Sequence, residues 1–244
     1  RKKEANRCIS CSWMRPAMLW YGLFRSPNLK LCSMICVSIG DPAQLPETIR
    51  LGAEMVELRF DLIREEPAML FSIIPGKVQV IATCRPGNCD DGKRTDLLKA
   101  SVDLGAAFVD LEIESSGEYY REMAGYAAMH GCRVMVSYHN SELTPGRNQL
   151  TAILKKAYEM NASVAKIATE VRSPFDIRNL LSLYDLPGQK VVIGMGEMGR
   201  ITRVVAPYFG AAFTFASPGD GSETASGQLS FNQLKEIYQI IGPL

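Results

Sequence analysis

Charge of one sign, long hydrophobic runs and histidine are what this sequence has least of. Its 244 residues carry 27 Lys and Arg against 26 Asp and Glu, a formal net charge of +1 that excludes a global field able to hold nucleic acid. No run of eighteen or more apolar residues occurs, so no membrane-spanning helix is expected. The seven cysteines are odd in number and thinly spread, which excludes a disulfide framework and points to reduced thiols in a cytoplasmic setting. Cys8 and Cys11 have CxxC spacing, but no second pair follows to complete a four-ligand zinc site, and no metal is expected. Only two histidines are available for chemistry near neutral pH. What is present, 47% hydrophobic and 22% charged residues, suffices for one large core and excludes disorder as the main state.

The near-neutral balance hides an asymmetry. Residues 1–34 carry seven bases (Arg1, Lys2, Lys3, Arg7, Arg15, Arg25 and Lys30) against Glu4 alone, which leaves the remainder near −5. This stretch is rich in Arg but contains few serines, together with Trp13, Pro16 and Trp20, a poor match to an organelle transit peptide. Residues 1–34 are therefore read as a basic N-terminal extension, disordered or foreign to the native chain, with Met34 as the start and 35–244 as one catalytic domain.

From Met34 onward, short β-branched runs alternate with segments of helical period. The candidate strands are Ile35–Ile39, Met55–Asp61, Val78–Cys84, Phe108–Glu112, Arg133–His139, Val164–Ala168, Lys190–Met195 and Ala212–Ala216. Helical stretches include Asp96–Leu104, Glu118–His130, Gln149–Met160, Pro174–Tyr184, Met198–Phe209 and Phe231–Ile241. Eight such units fit either a closed (β/α)8 barrel or a doubly wound open sheet.

Side-chain polarity separates the two. A parallel strand covered on both faces should be apolar on both. Yet Val56, Leu58 and Phe60 alternate with Glu57, Arg59 and Asp61, and Val109 and Leu111 alternate with Asp110 and Glu112. Val134, Val136 and Tyr138 likewise oppose Ser137 and His139, while Ala165 and Ile167 oppose Lys166. Isolated buried ions cost several kcal/mol each, so these groups must converge, and the mouth of a single-domain (β/α)8 TIM barrel is where inward positions meet.

Lys166, flanked by Val164, Ala165, Ile167 and Ala168, is expected to be desolvated, which favours a neutral amine able to attack a carbonyl and form a Schiff base. His139, at the end of the neighbouring strand, suits proton transfer. His130 ends a helix before Gly131 and reads as a cap.

The ordered set ELRFD (57–61), TCRP (83–86), DLE (110–112), SYH (137–139), AKIA (165–168), ITR (201–203) and ASGQ (225–228) resembles type I 3-dehydroquinate dehydratase across essentially all of 35–244. The resemblance implies a hydro-lyase of the shikimate pathway, serving chorismate and aromatic amino acid biosynthesis. It would convert 3-dehydroquinate to 3-dehydroshikimate with no metal or organic cofactor. Its partner would be a small-molecule substrate, with no nucleic acid or membrane, and a homodimer is compatible with it. Lys166 would form the imine, and His139 would act as general base and acid. Arg203 would clamp the substrate carboxylate, Thr224 and Gln228 would close over it, and Glu57, Arg59 and Arg85 would bind hydroxyls and order the charges. Asp110, Glu112, Met195 and Phe215 are supporting positions.

Two stretches depart from the family pattern. Where the family has an acidic residue followed by two glycines, whose carboxylate orients the histidine, this chain has Cys89-Asp90-Asp91-Gly92, and Asp90 or Asp91 is expected to take that role. The closing loop, Thr224-Ala225-Ser226-Gly227-Gln228, lacks the family's proline and is expected to be more mobile. Two other motifs are decoys. Gly194–Gly199 fits GxGxxG, but no acidic residue ends the next strand, so a tight βα turn is expected. Gly87–Lys93 fits GxxxxGK, with Arg94 where Ser or Thr should hold magnesium. The other readings of Lys166 are a class I aldolase-type barrel and a catalytically silent barrel that binds a small acid.

Overall fold

The computed structural model describes residues 35–87 and 89–242. The extension 1–34 and the Cys8/Cys11 pair lie outside the described residues. Eight parallel strands run β1 (Ile35–Ile39), β2 (Met55–Arg59), β3 (Gln79–Thr83), β4 (Phe108–Glu112), β5 (Arg133–Asn140), β6 (Val164–Glu170), β7 (Lys190–Met195) and β8 (Thr214–Ala216). Between and after them lie α1 (Leu45–Arg50), α2 (Pro67–Ile73), α3 (Asp91–Asp103), α4 (Gly117–Met129), α5 (Arg147–Glu159), α6 (Pro174–Leu181), α7 (Gly196–Val205) and α8 (Phe231–Ile241). The strands pair in the order β7-β6-β5-β4-β3-β2-β1-β8, a (β/α)8 barrel closed except for a seam between β7 and β8. One backbone hydrogen bond, from Ala212 N–H to the Lys190 carbonyl at 2.9 Å, spans that seam at the strand N-terminal end.

The period-2 alternation divides the core as barrel geometry requires. Outward residues such as Val56, Leu58, Val109, Leu111, Val134, Val136, Ala165 and Ile167 join Leu45, Leu70, Leu98, Met123, Leu150, Leu154 and Leu234 in the layer between barrel and helices. Inward residues Cys36, Met55, Ile81, Phe108, Met135, Val164, Val191 and Phe213 fill the barrel itself. That apolar plug closes the lower interior and leaves the polar inward positions at the strand C-terminal ends as the lining of the mouth.

Several boundaries differ from those read in the sequence, each for a local reason. The second strand ends at Arg59, and Asp61 lies in the following turn. The third helix begins at Asp91 rather than Asp96, because Asp90 is its N-cap and accepts from the Lys93 N–H at 2.8 Å. The helices at Leu45–Arg50 and Pro67–Ile73, not singled out in the sequence, are only six and seven residues long, and each carries a proline in its first turn. The GxGxxG stretch is the expected β7–α7 turn. A Cβ on Gly194 would stand 2.9 Å from the Gly199 Cα and 2.5 Å from the Val171 side chain, so strand and helix touch backbone to backbone there.

Candidate active site

Lys166 reaches the barrel mouth from the middle of β6 and is 3% exposed. Its Nζ lies 3.2 Å from Glu57 Oε1 on β2 and 3.0 Å from Asp110 Oδ2 on β4, and 4.3 Å from the centre of the Phe215 ring on β8. Strands on opposite sides of the barrel thus direct one cation between two buried carboxylates. The amine is buried, as its apolar neighbours in sequence suggest, but it lies against two anions rather than in a purely apolar shell.

Glu57 is the hub of the network. It accepts hydrogen bonds from Ser38 Oγ on β1 and from Thr83 Oγ1 on β3 at 2.9 Å. Burial alone would raise its pKa, but Lys166, Arg59, Arg85 and the Ser38 hydroxyl outweigh it and hold the carboxyl at about 2. Arg59 is itself fixed by a bidentate pairing with Asp61, at 2.9 and 2.6 Å.

His139 stands across the mouth near the end of β5. Arg85, just past β3, places Nη2 2.7 Å from its Nε2, and Glu112 at the end of β4 places Oε1 3.8 Å from its Nδ1. Burial, then the cations Arg85, Lys166 and Arg59, depress the imidazole pKa well below its ordinary value, so the ring is neutral at neutral pH. Burial pushes the Glu112 carboxyl up.

Arg203, on α7, is 1% exposed, and its Nε, Nη1 and Nη2 have no hydrogen-bond partner among the described residues. Burial lowers its pKa to about 10, against the opposing pull of Glu57. Its backbone is anchored, since its carbonyl accepts from Thr214 Oγ1 at 2.8 Å and Tyr238 Oη at 3.1 Å. A buried guanidinium whose nitrogens have no hydrogen-bond partner among the described residues is suited to receive an anion, because each unmade hydrogen bond costs free energy that a carboxylate would return.

The loop after β8 roofs the site. Thr224 N–H donates to Gln228 Oε1 at 2.8 Å, Thr224 Oγ1 donates to Ser38 Oγ at 2.8 Å, and Gln228 is 6% exposed. Gly227 has φ +75, and a Cβ there would stand 2.2 Å from the Gly196 carbonyl oxygen, so only glycine lets this loop seal the β7–β8 seam. These contacts fasten the loop, despite its lack of proline. Beneath it, Glu57, Arg59, Arg85, His139, Lys166, Arg203, Thr224 and Gln228 line a narrow pocket whose apolar wall includes Ala168, Ile193, Met195 and Phe215.

The structure therefore brings together Lys166, His139, Glu57, Arg59, Arg85, Arg203, Thr224, Gln228, Asp110, Glu112, Met195 and Phe215. It does not bring in Asp90 or Asp91. Asp90 is exposed and spends its carboxylate on capping α3, while Asp91 pairs with Arg94 at 2.7 Å. The α3 N-terminus competes for these short side chains and wins, because its amide donors have no intrahelical acceptor. Ser38 and Thr83 were not anticipated. The signal was available, since Ser38 pairs in register with Glu57 and Thr83 occupies an inward position on β3.

Chemically, the site offers an amine, a neutral imidazole and an anion receptor in one cavity. A family model described as type I 3-dehydroquinase matches residues 35–244. The chain is 34% identical over 197 residues to the 3-dehydroquinate dehydratase of Methanocaldococcus jannaschii, covering 78% of this chain and 88% of that protein. It is 32% identical over 223 residues to the protein of the same name from Methanococcus maripaludis, covering 86% and 100%. The crystal structure of 3-dehydroquinate dehydratase from Aquifex aeolicus superposes with a TM-score of 0.76 at 25% identity, covering 86% of this chain and 100% of that one. A 3-hexulose-6-phosphate synthase from Salmonella typhimurium, at 13% identity and a TM-score of 0.58, shares the fold alone.

Proposed function

The chain belongs to the type I 3-dehydroquinase family, and from that premise we propose that Lys166 and His139 carry out its reaction through a covalent imine. Its activity is that of a 3-dehydroquinate dehydratase, a hydro-lyase of the shikimate pathway. The observation that carries the mechanistic reading is a buried lysine amine held in the same pocket as a neutral histidine and a buried arginine whose nitrogens have no hydrogen-bond partner among the described residues.

Substrate enters with its carboxylate on Arg203, where two parallel N–H···O bonds fix its orientation. The Lys166 amine adds to the ketone carbon, and loss of water gives an iminium. The proton that Nζ gives up on attack passes to the Asp110 carboxylate, 3.0 Å away, and returns to the carbinolamine oxygen as that oxygen leaves as water. The iminium withdraws electrons from the adjacent carbon, and His139 Nε2 takes the proton there as an enamine forms. The resulting imidazolium then protonates the departing hydroxyl as the C–O bond breaks. Water hydrolyses the product iminium and restores the amine.

Arg85 occupies His139 Nε2 before substrate arrives, so a substrate hydroxyl that recruits Arg85 also frees the base. Glu57, kept ionised to about pH 2, stays an acceptor throughout the cycle and supports both Lys166 and Thr83. The apolar wall of Ala168, Ile193, Met195 and Phe215 limits water at the iminium. The working partner in this reading is the small-molecule substrate. A homodimer is compatible with it, and sedimentation would report one. Among the described residues no helix is long and apolar enough to cross a membrane.

The test is turnover of 3-dehydroquinate followed by the ultraviolet absorbance of the conjugated enone product. The wild-type chain produces it, and Lys166→Met and Arg203→Leu do not at comparable enzyme concentration. Undiminished turnover in Lys166→Met would remove the imine from the mechanism.

A further inference from the structure

Proton transfer by an imidazole requires its other ring nitrogen to be held, and the surroundings of His139 leave one group able to hold it. Arginine has no acceptor, so the 2.7 Å contact between Arg85 Nη2 and Nε2 leaves Nε2 unprotonated and places the ring proton on Nδ1. Nδ1 is buried and has no hydrogen-bond partner among the described residues. It faces Glu112 Oε1 at 3.8 Å, a gap that closes to a charge-assisted bond with a shift of about 1 Å. Glu112 ends β4, paired in register with Ser137, two residues before His139 on β5, so the two side chains rise from adjacent strands toward the same opening. The other carboxylates expected to serve His139, Asp90 and Asp91, are engaged at the start of α3.

We propose that Glu112 is the residue that positions His139, an inference that rests on His139 being the base of the reaction above. As substrate draws Arg85 away, Glu112 closes on Nδ1–H, fixes the ring plane and stabilises the imidazolium. The proton passes from substrate carbon to Nε2, the C–H electron pair moves into the enamine, and the same proton leaves on the hydroxyl as the C–O bond breaks. Glu112 stays ionised throughout. The other charged groups acting on His139 are Arg85, Lys166 and Arg59, all cations that oppose the imidazolium, which is why one facing carboxylate has leverage. Glu112 in turn feels Arg85 and Arg94 as cations and Asp110 and Glu114 as anions.

The experiment compares wild type, Glu112→Gln and Glu112→Asp in kcat and KM between about pH 5 and 9, with borohydride trapping at Lys166 alongside. Glu112→Gln is expected to lower kcat at neutral pH by about 10- to 100-fold while still forming the Lys166 adduct with little change in KM. It should also lose the acid-side fall in kcat that protonation of the carboxylate produces in the wild type. Glu112→Asp keeps the charge and should recover part of the rate. A Glu112→Gln protein with kcat within about twofold of wild type and an unchanged pH profile overturns the proposal, as does the same loss appearing in Asp90→Asn or Asp91→Asn instead. If Glu112→Gln fails to fold, Glu112→Asp decides, with an intermediate kcat supporting the role and a wild-type kcat opposing it. Absence of a Lys166 adduct in the wild type would sink the parent reading and this one with it. A wild-type adduct with a silent Glu112→Gln would sink this one alone.

Discussion

Removing the ammonium from the Glu57–Lys166–Asp110 cluster should leave a signature that depends on pH in both activity and stability. Lys166→Met keeps the volume and apolar stem but deletes a charge in contact with two carboxylates, all three side chains being at most 3% exposed. At an effective dielectric near 20, each contact at about 3 Å is of order 5 kcal/mol before desolvation. The net cost of losing one partner of a buried ion pair is about 3–5 kcal/mol. For a barrel of this size that is a fall in melting temperature of about 6–20 °C at neutral pH. The cost must shrink on acidification for two reasons of the same sign. In the wild type Glu57 has a folded pKa of about 2, below its ordinary 4.5, so its stabilising contribution is present above pH 4.5 and is lost as pH falls toward 2. In the variant the two carboxylates face each other without the lysine, and one takes up a proton, a stabilisation present at low pH and lost as pH rises. Thermal melts of both proteins at pH 7 and near pH 3 should therefore show the gap falling by about half. A gap that stays constant across this range, or a variant more stable than wild type at pH 7, would refute the electrostatic reasoning.

Three further outcomes follow from the site. Arg203→Leu removes a buried guanidinium whose three nitrogens have no partner among the described residues, so it should raise the melting temperature by a few degrees, about 1–2 kcal/mol, while abolishing saturable substrate binding in calorimetry. An unstable variant that still binds would contradict the anion-receptor role. Gly227→Ala places a methyl 2.2 Å from the Gly196 carbonyl at φ +75 and should open the roof, raising KM about tenfold or more with a smaller change in melting temperature. Steady-state kinetics check this, and an unchanged KM would show that the loop does not cover bound substrate. Nitrogen-15 spectra of the imidazoles should find His139 neutral with its proton on Nδ1 at pH 7, and still neutral at pH 6 where an ordinary histidine is mostly protonated. Because there are only two histidines in the chain, His130→Asn assigns the signals, and a protonated His139 at pH 6 would contradict the cationic surroundings described.

The parts of this molecule that were legible in the sequence are those governed by period. Alternation in EMVELRF and DLE separated an apolar outer face from a charged inner one, and barrel closure then brought Glu57, Asp110 and Lys166 together from three strands. What was not legible depends on local competition or on chemically quiet residues. Asp90 and Asp91 sit close in sequence to Arg85, but spacing does not reveal that the start of α3 takes both carboxylates. Glu112, visible as one more inward charge, was not distinguished as the carboxylate facing His139, because the pairing depends on the register of β4 with β5. Ser38 and Thr83 resemble ordinary strand residues, and only the geometry of the hub shows their hydroxyls on Glu57. The final strand was read two residues too long, since Ala212 and Phe213 lie at the seam where β7 and β8 do not form a ladder.

The central claim is that the Lys166 amine becomes covalently joined to the substrate. Incubation of the wild-type protein with 3-dehydroquinate and borohydride, followed by peptide mass mapping, tests it directly. A reduced secondary amine is expected on the peptide carrying Lys166, with product formed in a parallel sample lacking reductant. Product formation with no adduct on that peptide, or an adduct on another lysine, would contradict it.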